Sequence, residues 1–153
     1  MDSSFNPEQF LGAALTGVLV KRPPVAAGRP FDATIKDVPK IRPWRSEAKG
    51  TSGFSADIAL EIVLPPEEAS RLGQPTVTLT DGVFLDTTDT GGLDMAPGKN
   101  RGLRRYYDAT GLNKPGTTMQ HLAGQRVKVV LKHDVAKDGS GDIYERIDAI
   151  AKA

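Results

Sequence analysis

The sequence predicts a mainly β domain, arranged as an OB-type Greek-key barrel of five or six strands with one helix between strands three and four, preceded by an N-terminal arm. Three observations predict it. Sixteen Gly and eleven Pro in 153 residues are more than a helical bundle tolerates and suit short strands joined by turns. Four stretches, 31–38, 54–64, 76–80 and 126–133, alternate apolar and polar residues with the period of two that marks a half-buried strand. Between the third and fourth of these lies one segment with helix punctuation at both ends, Asn100 in front and Gly111 behind. An open sandwich would present the same order of elements. The length fits one domain, 31–153, behind an arm and Pro-rich linker at 1–30.

The arm begins with a helix signal: Asn6 as N-cap, Pro7 at the first helical position and Gln9 in the capping-box place predict a short helix over 7–15. The apolar stretch 10–20 is about half the roughly 20 residues a membrane helix needs, it contains Gly12 and Gly17, and no basic leader precedes it. No membrane partner is expected. Prolines 23, 24 and 30 forbid helix and central strand alike, so 22–30 is read as an extended linker. Phe31, Ala33 and Ile35 then share one face of a first strand. The polar, basic stretch 40–53 reads as a loop with a mobile Gly/Ser end. It is followed by the clearest alternation in the chain, Phe54, Ala56, Ile58, Leu60, Ile62 and Leu64.

Pro65-Pro66 stops that strand, and 67–72 makes one helical turn. Alternation resumes at 76–80. Asp81-Gly82 is either a hairpin turn or a bulge within one strand that continues over 83–85. The Gly-rich, acidic 86–98 is a loop. On the helix 101–110, Leu103, Tyr106 or Tyr107, and Thr110 pack inward, with an Arg105–Asp108 pair on the outer face. The last two strands, 126–133 and 143–150, flank a turn at 137–141. Ile143, Ile147 and Ile150 require a break in the alternation of the second.

Charge is segregated. Twenty Lys and Arg against nineteen acids give +1 for the chain. Residues 21–53 hold eight against three, residues 54–98 one against eight, and residues 99–133 eight against one, or +5, −7 and +7. Brought together on one groove, the two basic blocks would form a path for a polyanion. Lysines on the solvent face of an edge strand, where they discourage aggregation, would give the same count. The single tryptophan, Trp44, stands between Arg42 and Arg45. An indole among guanidinium groups suits base stacking at about 1–3 kcal/mol per base, while the alternative is a core anchor beneath the loop. Tyr144, beside Arg146, is a second stacking candidate. The candidate nucleic-acid-binding set is Lys36, Lys40, Arg42, Trp44, Arg45, Lys49, Arg104, Arg105, Lys128, Lys132 and Tyr144.

No catalytic pattern is present. The chain has no Cys and two His, His121 and His133, twelve residues apart, so thiolate metal sites, cysteine nucleophiles and a triad have no candidates. Pro97-Gly98-Lys99-Asn100 fails the phosphate-loop pattern twice, at Leu93 and at Asn100. Asp86, Asp89 and Asp94 lack the spacing and terminal Glu of an EF-hand. Neither enzyme activity, metal nor cofactor is expected.

Taken in order, Ala33-Thr34-Ile35-Lys36-Asp37-Val38, the Trp44 segment, Ser52-Gly53 entering the long strand, Gly98-Lys99-Asn100 leading to Leu103, Gly111-Leu112, Leu122-Ala123-Gly124-Gln125-Arg126-Val127-Lys128-Val129 and Tyr144-Glu145-Arg146-Ile147 resemble a family of small bacteriophage single-stranded-DNA-binding proteins, formerly a domain of unknown function. The resemblance covers roughly 25–150. It implies sequence-tolerant binding of single-stranded DNA in phage replication or recombination, in the host bacterial cytoplasm, by a homo-oligomer. The chain departs from the family in its apolar arm and in lacking an acidic C-terminal tail. A second resemblance, to small β-rich virion proteins such as capsid decoration proteins, implies phage capsid partners and self-association through the arm.

Overall fold

A computed structural model of the chain describes residues 6–153. Its organising element is the long alternating segment, which forms β3 (Thr51–Val63), thirteen residues with no Pro to interrupt the ladder. β4 (Thr76–Leu85) pairs antiparallel with one edge of β3, from Phe54↔Leu85 to Val63↔Thr76. The other edge is shared by two strands. β1 (Pro30–Ile35) pairs with its C-terminal end through Asp32↔Val63 and Ile35↔Leu60, and β2 (Lys40–Ser46) with its N-terminal end through Lys40↔Asp57 and Ser46↔Thr51. Beyond β1 lie β5 (Arg126–Val135) and β6 (Ile143–Lys152), giving the order β2-β3-β1-β5-β6 with β4 on the far edge of β3.

The sheet is open. It curls so that β4 and β6 approach without pairing, and α3 (Arg101–Thr110) packs against β4, β5 and β6. Leu103, Tyr106 and Ala109 are the buried face of the helix. Gly102 lies against Val83, where a Cβ would come to 2.9 Å, and the Tyr106 hydroxyl donates to Asp81 at 2.6 Å. Burial first, and then the Asp81 carboxylate, push the Tyr106 hydroxyl far above its usual range. On the β6 side Arg105 donates to the Asp148 carbonyl. Ile35, Ile58, Leu60, Ile62, Val127, Val129 and Leu131 form the centre of the core.

The mainly β class and the long strand agree with expectation, as does the helix at 101–110. Four local expectations are corrected. The stretch 40–46 is a strand, β2, so α3 lies between the fourth and fifth of six strands. Asp81-Gly82 makes neither turn nor bulge, because β4 keeps its register on β3 straight through Gly82↔Asp57. Asp108 pairs with Arg104 at i+4, at 3.2 Å, while Arg105 turns toward Asp81 and β6. The first helix, α1 (Pro7–Leu11), stops four residues short, although Asn6 caps it by accepting from the Glu8 amide. The expected irregularity in the last strand falls where the register shifts between Val130 and Leu131, leaving Asp148 as the extra residue. Asn100 sits in the left-handed region, at φ 51°. Its side chain accepts from the Asp86 amide and donates to the Asp86 and Asp94 carbonyls, closing the acidic loop onto the start of α3.

The Pro-rich stretch is extended, as its prolines require, and it is strapped to the body. Val25 is in the core. Its amide and the Arg22 guanidinium both donate to Glu145, and His133 Nε2 donates to its carbonyl at 2.7 Å. The next amide, Ala26, donates to Glu68 on α2 (Pro66–Leu72). Two hydrogen bonds from Arg71, with the Ala26 amide second, hold the Glu68 carboxyl down at about 2.

Candidate nucleic-acid interface

β2 becomes a strand because β3 outlasts β1. The N-terminal half of β3 offers an unpaired edge, and the chain leaving β1 runs on along it in the same direction. β2 pairs with β3 alone, and an edge strand is where Pro43 is tolerated. Residues opposite each other in an antiparallel pair share a face. Lys40, Arg42 and Trp44 therefore stand with Asp57, Ser55 and Gly53, and on β4 with Gly82 and Phe84. This is the face turned away from the core, whose β3 residues are Ala56, Ile58, Leu60 and Ile62.

On that face the indole of Trp44 lies over Gly53, where a Cβ would come within 2.9 Å of Cζ2. It meets the Phe84 ring edge-on, with centroids 5.6 Å apart and planes at 76°. Phe84 is 71% exposed. Two buried polar atoms here lack a hydrogen-bond partner among the described residues, Trp44 Nε1 and Ser55 Oγ. Arg42 grips Asp57 with two hydrogen bonds, at 3.0 and 3.3 Å. Arg45 is on the opposite face, opposite Ser52. The expectation that Arg42 and Arg45 flank the indole thus holds only for Arg42, since residues i and i+1 of a strand point to opposite sides. Lys49 lies in the turn between β2 and β3.

The remaining candidates are dispersed. Lys36 follows β1 and stands 3.9 Å from Glu61. Lys128 pairs with Asp32 at 3.3 Å. Lys132 is opposite Arg146, and Tyr144 is opposite Asp134, which pairs with Arg146. By the pairings Val63↔Asp32 and Pro30↔Val130, Lys132 lies about fourteen strand positions beyond Trp44, on the order of 45 Å measured along the sheet. The pairing does not place the β5–β6 residues beside β2. Arg104 and Arg105 are engaged on α3 as described. Among the described residues, Lys40, Arg45, Lys49 and Lys132 make no ion pair.

Much of the charge segregation dissolves in three dimensions. The acidic block 54–98 is β3, α2 and β4, the neighbours of the basic blocks, and it neutralises them through Arg42–Asp57, Lys36–Glu61, Arg29–Glu67 and Arg105–Asp81. What remains basic is the region around α3, where Lys99, Arg101 and Lys114 make no ion pair among the described residues, and the β2–β3 hairpin. The sequence reading missed two aromatics there, Phe84 and Phe54, the latter 46% exposed at the end of the core face. A signal for Phe84 existed, because it continues the polar face Thr76, Thr78, Thr80, Gly82 of its strand. Arg101 was also missed. It lines, with Gly82, Phe84 and Arg105, a pocket of about 320 Å³ beside the aromatic pair.

No helix among the described residues is long and apolar enough to cross a membrane, and no group of three or more His, Asp or Glu among them could hold a metal ion. No family model, no curated protein and no solved structure matches the chain.

Proposed function

We propose that this protein binds single-stranded DNA without sequence preference, through the outer face of β2, β3 and β4. The observation that carries the proposal is the Trp44–Phe84 pair, an indole set edge-on to an exposed phenyl ring, on a face that also carries the unpaired cation Lys40 and next to the turn that holds the unpaired Lys49. Aromatic faces accept any base and cations track phosphates, which is the composition of a sequence-tolerant single-strand site.

The topology supports this reading. β1 and β2 run in one direction along one edge of β3, so they count as one interrupted strand. The order is then 3-2-1-4-5, with α3 between the third and fourth, as in an OB-type Greek-key barrel. Such barrels bind oligonucleotides on the face of strands two and three and on the loop between strands one and two. Here those are β3, β4 and the turn carrying Lys49. The phage single-strand-binder resemblance and the homo-oligomer it implies are part of the same proposal. The apolar arm, exposed along its length, favours a virion role as the second reading.

Fluorescence of the single tryptophan, titrated with oligo-dT and with duplex DNA at two salt concentrations, separates the two. The proposal expects quenching by oligo-dT in preference to duplex. If Lys40 and Lys49 each contact one phosphate at about 0.7 counterions, affinity falls about seven-fold between about 50 and about 200 mM salt. No binding at the lower salt, or an affinity indifferent to salt, overturns it.

A further inference from the structure

Two apolar features of this chain lie uncovered. The first is the arm, where Leu11, Leu15, Val18, Leu19 and Val20 are 67–87% exposed. The spacing of Leu11, Leu15, Val18 and Leu19, i, i+4, i+7 and i+8, is the stripe that a helix extended past Leu11 would present to a groove. α1 is only five residues long and has no buried residue, too short to persist without something to pack on. The second is a groove of about 650 Å³ between α3, the end of the acidic loop and the segment after the helix. Leu93, Tyr107 and Leu112 supply its apolar lining, with Met95, 86% exposed, and Lys99 and Lys114 also along it.

We propose that the arm of one copy seats in this groove on a second copy. Charge complements the apolar match. Residues 6–20 carry Glu8 and no Lys or Arg, a net −1, while 93–117 carry five Lys and Arg against two Asp, a net +3. The arm's root is fixed on the hairpin of β5 and β6 by Lys21–Asp142 at 2.9 Å and Arg22–Glu145 at 2.7 Å. The groove opens on the side of α3 that carries Arg104 and Tyr107, away from the Arg105 side that touches β6. The arm's root is thus held at β6 and the groove lies on the other side of α3, so we place the arm in a neighbour's groove. The inference stands independently of the nucleic-acid reading.

The absence of cysteine makes the test clean. Full-length Leu15→Cys and Met95→Cys proteins, both changed at exposed positions, are prepared separately, mixed and oxidised. The expected result is a disulfide-linked dimer formed several-fold more abundantly in the mixture than in either protein alone. A mixture with no excess over the separate proteins overturns the proposal. So does a Leu15→Cys/Met95→Cys double variant that oxidises only within one chain, at monomer mass. In light scattering, Leu11→Asp with Leu15→Asp lowers the mass to that of one chain, and an unchanged mass overturns the proposal as well.

Discussion

The two halves of β3 are one strand in two environments. From Ala56 to Ile62 its even residues are fully buried, with β4 on one side, β1 and the start of β2 on the other, and the core beneath. Between Thr51 and Ser55 the same strand runs beyond the core. Phe54 is half exposed, Gly53 leaves room for an indole, and the Ser55 hydroxyl has no partner among the described residues. The first half is built so that every group is satisfied. The second exposes aromatic surface and encloses two polar atoms that have no partner among the described residues. A buried polar group left unsatisfied costs about 1–3 kcal/mol, a local cost that the first half does not carry. The difference separates residues whose loss should unfold the protein from residues whose loss should disarm it.

The largest effect is expected in the buried half. Leu60→Ala removes a fully buried side chain and should cost about 2–5 kcal/mol of stability in urea unfolding, with oligo-dT affinity unchanged wherever the protein is folded. Loss of affinity without loss of stability there would break the comparison. Next is the strap on the same body. Glu68→Gln loses the charge on bonds from Arg71 and Ala26 and should cost about 1.5–3 kcal/mol near neutral pH. Because the folded carboxyl is held at about 2 against an ordinary 4.5, its contribution is fully present above 4.5 and is lost as pH falls from there through about 2. Glu68→Gln should flatten that part of the stability–pH curve, and an equally steep curve in the variant would show that other carboxylates govern acid unfolding.

In the open half, Trp44→Ala should lower oligo-dT affinity by about 1–3 kcal/mol. A core anchor would instead cost about 3–5 kcal/mol of stability. With the ring half-buried on Gly53 and against Phe84, the expected thermal shift is small, and a destabilised variant that binds like wild type would return Trp44 to the core. Gly53→Ala sharpens this further, because its Cβ drives the indole off its seat without removing it. Affinity should change while the tryptophan emission maximum shifts. The smallest effect is electrostatic. Lys40→Ala or Lys49→Ala should each reduce the salt slope by about 0.7, whereas Lys128→Ala, already paired with Asp32, should leave it unchanged.

The amino-acid sequence by itself determined the class of the fold, the long central strand, the core faces of β1 and β5, and the helix between Asn100 and Gly111. Each of these has one face in the core and one in water, so burial writes a period into the residues. β2 has no such period. Lys40, Ile41, Arg42, Pro43 and Arg45 are exposed on both faces, and a strand wet on both sides is indistinguishable from a basic loop until its partner is known. The same reason hid Phe84 as a neighbour of Trp44, since the two are forty residues apart and meet only through the register of β3. Tertiary structure also decided what the charge blocks mean. Counting along the chain shows Lys and Arg separated from Asp and Glu, and the fold then places the acidic β3 against the basic β2 by antiparallel pairing and β4 against the basic α3 by packing. Composition fixes how many charges a segment holds, whereas register fixes which of them face an opposite charge and which remain for a ligand.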